Sequence, residues 1–487
     1  MKRIYTFLII FLIIAPFQIL PQFTGNYYVG NAGTRPGGGD PDYATLKAAC
    51  DALNAGTITG NCTFYITSSL TEAQNVGLAV NTNGFSIAFK PSDNTDKVIT
   101  FTQTADNTSP SGHFVIGAKN LTSAWSDINI IATSNVVVDG YADGSTTRRL
   151  KLTNQNANVI GARLITIVGD CDNVIIKNSI LENMTTNTTS PSAIAAIVRK
   201  EELTATEHSP DNLLVENNLL TTNNSVVGMG MRITNRNTIS SAKATGFIFR
   251  NNIVTAQRRL LEINYVNGAT INNNEFSQDQ KGAPGTVSYG VWTNAAVIGT
   301  VSIFNNQFIK SATEETGAFG HRVISLSSGA TYNVYNNVFM GMNKSKVSSA
   351  ALNLYYLFYS GVSGTIYNNT FYMPNLTDAS HSGGAYRAIQ LSGNTAEIVN
   401  NIFISDELNH TSTSFIHTVP TPNSDYNVFY IRQANPNARI VSTYATLNDY
   451  RIANPTKDIN SVSKDVNFIS ATDLHLTGAS LGDNDLI

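Results

Sequence analysis

Three arginines stand at matching places in this 487-residue chain: Arg259, Arg322 and Arg387, each about fourteen residues before a pair of adjacent asparagines. A guanidinium is a planar fork that binds carboxylate or sulfate through two parallel hydrogen bonds. A regular series of them therefore points to an anionic partner. His321 and Tyr386 neighbour two of the three, and Arg232 opens a similar segment at a longer offset. Val291 and Leu354 fill the corresponding place in the segments between. Two other roles stay open for these cations, pairing with loop carboxylates or lying along a solvated face. Trp292, Tyr355, Tyr356 and Tyr359 fall on or beside the same segments. Outward-facing rings there would stack on sugar CH groups, and inward-facing ones would be core. His113, His208, His381, His410 and His417 are scattered, with no metal-ligand spacing and no nucleophile beside them.

The elements that position these residues are set by the asparagine pairs. VENNLL, FRNNIV, INNNEF, FNNQF, YNNVF, YNNTF and VNNIF place pairs at 217, 251, 273, 305, 336, 368 and 400. The successive intervals are 34, 22, 32, 31, 32 and 32 residues, which is the mark of a solenoid. IKNSI precedes the series and DYNVF follows it. Comparing these degenerate copies assigns the invariant role to the second asparagine, and in IKNSI to Asn178. Two residues further stands an apolar side chain, and positions i and i+2 of an extended chain share a face. The expectation is an inward ladder at a bend, through Asn218, Asn252, Asn274, Asn306, Asn337, Asn369, Asn401 and Asn427, with stacked phenylalanines beside it. About fourteen residues earlier runs a strand series: RLLEI, VWTNA, RVISL, LYYLF and RAIQL. Each coil then needs two strands before the corner, one after it, and a variable loop.

This pattern resembles the right-handed parallel β-helix of the pectin-lyase-like superfamily, over about Ser134 to Phe429. The fold class it implies is all-β, a right-handed parallel β-helix solenoid. DYATLKAACDALNAG (Asp42 to Gly56) reads as an N-terminal amphipathic capping helix with Leu46, Ala49 and Leu53 on one face. It is similar to the opening of exported β-helix proteins of Bacteroidota-like bacteria, and DVNFISATDLHL (Asp465 to Leu476) is similar to their closing segment. Those proteins usually continue, often into a sorting domain, which here would be missing. The organisation is then 1–22 signal peptide, 23–133 cap and first coils, 134–430 regular coils, and 431–487 a C-terminal cap segment.

The superfamily holds polysaccharide lyases and hydrolases alongside surface proteins without a reaction, so fold does not decide function. Its hydrolases carry NTD, a DD pair, GHG and RIK. Asn94-Thr95-Asp96 spells the first, but no DD follows, Gly112-His113 continues with Phe114, and Arg232-Ile233 continues with Thr234. Its lyases need clustered acids for calcium and a proton-abstracting Arg or Lys. Asp139, Asp143, Asp170 and Asp172 are the nearest acids, each at a turn. The catalytic residues stay unassigned, no metal is called for, and calcium enters only if the chain is a lyase.

Composition narrows the partners. Charged residues are 13% of the chain and the formal net charge is −3, which excludes the basic footprint of a nucleic-acid binder. Lys2, Arg3 and the apolar run Tyr5 to Ile14 read as a secretory signal, too short for a membrane span after cleavage. Cys50 and Cys62 could pair in an oxidising compartment, or all three cysteines could be buried thiols. The expectation is a secreted or cell-surface protein that binds a polysaccharide or cell-surface glycan through Arg259, Arg322, Arg387, His321 and Tyr386. The alternative is a lyase or glycoside hydrolase acting on an acidic polysaccharide. Oligomeric state is not legible.

Overall fold

The computed structural model describes residues 20–102, 113–121, 128–154, 163–184, 195–202, 211–222, 228–235, 243–257, 259–278, 287–293, 297–310, 321–327, 329–340, 353–361, 363–375, 384–392, 396–408, 410–418, 422–470, 473–483 and 486. Among them, three long parallel sheets of 13, 12 and 12 strands wind into a right-handed β-helix. Each coil contributes one strand to each sheet in turn. Val266–Asn272 lies in the first sheet, Glu275–Gln278 in the second and Ser288–Thr293 in the third, before Ile298–Phe304 returns to the first. Of the segment 1–22 that the sequence reads as a signal peptide, residues 1–19 fall outside the described residues, and Gln22 opens the strand Gln22–Val29.

The corner between the first and second sheets divides its work between the two asparagines. The first member takes the left-handed conformation, with φ of 52° to 56° from Asn217 to Asn400. This corrects the expectation that the second asparagine makes the bend. Asparagine visits that region more readily than other residues with a Cβ. The second member turns inward, buried. Its Oδ1 accepts from the backbone N–H and the amide of the coil before; Asn337 Oδ1 lies 3.0 Å from both Asn306 N and Asn306 Nδ2. Its own Nδ2 donates to the next oxygen, Asn369 Oδ1 at 3.0 Å, and to the carbonyl of Ile303 at 2.8 Å. The pattern repeats from Asn218 through Asn252, Asn274, Asn306, Asn337, Asn369 and Asn401 to Asn427. At the far end Asn427 meets the buried carboxylate of Asp458, which also accepts from Ser461 Oγ at 2.5 Å. IKNSI needs a second correction. Asn178 has φ 58° and accepts from Asn217 Nδ2, so it is the bend residue, and Ser179 takes the ladder place.

Beside the amides the phenylalanines stack almost parallel. Ring centroids are 5.1 Å apart for Phe276–Phe308, 5.0 Å for Phe308–Phe339, 4.6 Å for Phe339–Phe371, 4.9 Å for Phe371–Phe403 and 5.1 Å for Phe403–Phe429. That is the spacing of hydrogen-bonded strands, so the core repeats once per coil.

A helix, Leu46–Ala55, packs against Leu70–Glu72 and Val76–Leu78, which are end strands of the second and third sheets. Thr45 caps it, and Leu46, Ala49, Cys50 and Leu53 are its buried face. Cys50, Cys62 and Cys171 are buried, and the Cys50–Cys62 pairing is not made. At the other end, Val462, Val466, Phe468, Leu474 and Leu476 pack on Met340, Tyr372 and Ile404 outside the second sheet.

Candidate functional site

From Arg259–Ile263 to Ala438–Val441 the strands of the third sheet carry a kink, and the kink decides what faces out. Leu260 and Leu261 are both buried, as are Val323 with Ile324, Tyr356 with Leu357, and Ala388 with Ile389. Two successive inward residues break the usual alternation. Outward positions are therefore three apart: Arg259 with Glu262, Tyr289 with Trp292, Arg322 with Ser325, Tyr355 with Phe358, and Arg387 with Gln390. The inner side of the kink is tight. A Cβ on Gly290 would stand 2.4 Å from the carbonyl oxygen of Val323.

Strand register stacks these positions into two columns. The first runs Arg259, Tyr289, Arg322, Tyr355, Arg387, Ser414, Arg439. The second runs Arg232, Glu262, Trp292, Ser325, Phe358, Gln390, His417. Arginine coils thus alternate with aromatic coils up to Arg387, and the coil before Arg439 carries Ser414 and His417. The residues in register between the arginines are Tyr289 and Tyr355, not the Val291 and Leu354 that counting had placed there; both of these are buried. Tyr289 and Trp292 stack at 4.8 Å, and Tyr355 and Phe358 at 5.7 Å. Guanidinium carbons lie over these rings: Arg259 is 3.9 Å from the centre of Trp292, Arg322 is 3.9 Å from that of Phe358, and Arg387 is 5.8 Å from that of Tyr355. Cation–π attraction of this kind holds a cation in place without neutralising it.

Charge divides the face into two zones. At the lower one the fully buried Glu262 takes Arg259 Nη1 at 2.5 Å, Arg232 Nε at 3.1 Å and Asn264 Nδ2 at 2.9 Å. Burial pulls the Arg259 pKa down and the Glu262 charge works against that pull. Higher up, no carboxylate among the described residues reaches an arginine of the column. Among the described residues the Arg322 guanidinium has ring contacts only. Arg387 donates to the Gln390 amide oxygen, and its Nε is buried without a partner. Burial also draws the Arg387 pKa down, against a smaller opposing pull from Tyr355. Arg439 donates to the carbonyls of Pro436 at 2.8 Å and Ala438 at 2.7 Å. Burial, and then the Arg387 charge, lower the pKa of His417.

Two members of the expected set leave the site. His321 and Tyr386 each precede an arginine, so they point to the opposite, inward face. His321 is buried against Ser288 Oγ at 2.7 Å, and Tyr386 is fully buried beside Tyr356. Tyr356 and Tyr359 are likewise core, whereas Trp292 and Tyr355 stand on the arginine side of the sheet, where Tyr355 is itself buried. Arg439 was missed, because no asparagine pair follows it to mark its coil. The acids of the first coils are engaged locally: Asp143 with Lys90 at 2.5 Å, Asp139 with Lys177 at 3.4 Å, and Asp96 with Arg149 at 2.9 Å. Among the described residues no three His, Cys, Asp or Glu are grouped to hold a metal ion.

A cleft of about 900 Å³ lies elsewhere, beside the helix. Its charged lining is internally satisfied, Lys47 by Asp51 at 2.6 Å and Lys119 by the carbonyl of Asn54 at 3.0 Å. The arginine face has the unspent hydrogen-bonding capacity, and it is the stronger candidate.

The chain matches no described protein family and no curated protein. It resembles several solved structures in the course of its backbone. One is PfbA, a surface adhesin of Streptococcus pneumoniae, at 13% identity over 80% of this chain and 89% of that one, with a TM-score of 0.40. Another is DFA-IIIase from Arthrobacter chlorophenolicus A6 in complex with GF2, at 13% identity over 82% and 92%, with a TM-score of 0.46. A third is the tailspike protein of E. coli bacteriophage HK620 in complex with hexasaccharide, at 14% identity over 81% and 73%, with a TM-score of 0.41.

Proposed function

We propose that the chain is an exported surface or extracellular protein that binds an acidic polysaccharide or cell-surface glycan along the outer face of its third sheet, without cleaving it. One observation carries this reading: Arg322 and Arg387 are half-buried cations fixed against aromatic rings, with no carboxylate among the described residues to neutralise them. Removing a cation from water without an anion is unfavourable, and a carboxylate or sulfate from a ligand supplies the missing partner. Export rests on Lys2, Arg3 and the apolar run after them.

The test is a titration of purified protein with acidic and neutral glycans at fixed ionic strength. Arg322→Ala with Arg387→Ala should weaken acidic-glycan binding by about a hundredfold, since each charge-assisted pair contributes roughly 1.5 kcal/mol. Unchanged affinity in the double variant would refute the site.

A second reading has its own observation. Glu262 is a carboxylate inside the column, and a lyase or hydrolase needs one near its substrate. Release of new reducing ends from an acidic polysaccharide, abolished by Glu262→Gln, would establish it. Glu262 makes three hydrogen bonds to protein groups, two of them from arginines, which favours the binding reading.

A further inference from the structure

We infer that the ligand carries one anionic group for every two sugars and lies parallel to the solenoid axis, its charges in register with Arg322, Arg387 and Arg439. The inference rests on the acidic-glycan reading and adds the period of the charge. Strand register puts these arginines two coils apart, with Tyr355 between the first two and Ser414 between the last two. Coils repeat at about 4.8 Å, so guanidinium groups recur at roughly 10 Å. That matches the disaccharide repeat of an extended glycan, one sugar to each coil.

The coils between supply no second guanidinium: Tyr355 and Phe358 stand between Arg322 and Arg387, and Ser414 and His417 in the coil between Arg387 and Arg439. Tyr355 is buried and the face of Phe358 is already covered by Arg322, so a carboxylate on the intervening sugar finds no cation of its own there. An uncharged sugar at that place loses nothing. A polymer charged on every sugar is therefore desolvated at alternate positions without a paired cation, although its total charge is higher.

The lower limit of the track is also built in. One step below Arg322, the Tyr289–Trp292 coil separates it from Arg259, whose charge is already taken by Glu262. The open track begins at Arg322 and ends at Arg439, four coil steps or roughly 19 Å. It spans five sugars with charges on the first, third and fifth.

Calorimetric titration with three hexasaccharides separates the possibilities: a hyaluronan oligomer charged on alternate sugars, an oligogalacturonate charged on every sugar, and an uncharged β-1,4-glucan. The alternately charged oligomer should bind at least about tenfold more tightly than the fully charged one, the reverse of the order that net charge alone dictates. Equal or tighter binding of the oligogalacturonate would overturn the periodicity and leave acidic-glycan binding standing. Failure of both charged oligomers to exceed the neutral one would overturn the binding reading as well. Ser414→Arg adds a cation in one intervening coil. It should raise oligogalacturonate affinity about tenfold and leave the hyaluronan oligomer within about twofold. No gain for oligogalacturonate, in a variant whose melting temperature is unchanged, would count against the register.

Discussion

Two ladders run along this solenoid and treat their hydrogen-bonding capacity in opposite ways. In the asparagine ladder every inner amide is buried and each donor and acceptor meets a partner in the coil above, the coil below or its own corner. In the column on the third sheet above Glu262, Arg387 Nε is buried without a partner, and among the described residues the Arg322 guanidinium meets only rings. The first ladder is closed and needs nothing from outside. The second is open. A repeat protein can thus separate the positions that hold coils together from those that meet a partner, although both recur once or twice per two coils.

The strongest way to break this contrast is to open the closed ladder. Asn337→Leu would strand the N–H of Asn306 and take one partner each from Asn306 Nδ2, Asn369 Oδ1 and the carbonyl of Ile303. A stranded buried N–H costs about 1–3 kcal/mol and each further hydrogen bond lost about 1 kcal/mol, so the loss should reach the order of 4 kcal/mol in denaturant unfolding. Glycan affinity at a temperature where the variant stays folded should not change. A change there would join two ladders that the structure keeps on different sheets.

Acid should open the interior next. His113 is buried, stacked on Phe101 at 5.3 Å, with Asn75 Oδ1 at 3.2 Å, and burial draws its pKa down to about 4. Unfolded, it titrates near 6.5. Between these values the unfolded chain binds the extra proton, so stability falls as pH drops from about 6.5 to about 4, by roughly 3 kcal/mol in all. His113→Gln should flatten that part of the stability profile. An unchanged slope would mean that other groups set it.

Glu262→Gln probes the boundary between the closed and open parts of the outer face. It leaves two arginines facing a neutral amide, with 11% of the Arg259 side chain and 19% of the Arg232 side chain still exposed to solvent. Discounted for that exposure, the cost should be about 1–2 kcal/mol. An acidic oligosaccharide should return part of the loss in thermal melting, because the variant lengthens the open track. A melting temperature indifferent to the ligand would confine Glu262 to a structural role.

How much of this was legible differs between the ladders for physical reasons. The corner asks for the same two side chains at every turn, a left-handed backbone followed by a buried amide, so its period stands out in the sequence. Even there, IKNSI was misread by one place, because Ser179 accepts the ladder position and leaves Asn178 as the bend. The outer column is obscured by the kink, which makes outward residues recur at i and i+3, and by turns of unequal length. Tyr289 lies 16 residues before Asn305, and Tyr355 lies 13 before Asn368, so no fixed offset finds both. His321 and Tyr386 were included by adjacency in sequence, which in a strand means the opposite face. Only register brought Arg439 into the column.

The smallest effect tests whether the corner is closed in backbone terms as well. Tyr426 occupies the bend place of the last corner with φ 56°, where each of the seven preceding pairs has asparagine, and its ring is 58% exposed. Left-handed backbone costs an ordinary L-residue about 1–2 kcal/mol, and asparagine less. The exposed ring returns little by packing. Tyr426→Asn should therefore stabilise the chain by about 1 kcal/mol, read as a small rise in melting temperature. The Asp425 carboxylate, which accepts the Tyr426 N–H at 2.9 Å and the Asn460 N–H at 2.7 Å, is untouched by the change. A loss of stability would mean that the tyrosine ring earns its place through contacts beyond the backbone. A gain would show that the corner prefers asparagine for its backbone alone, independent of the amide ladder one residue later.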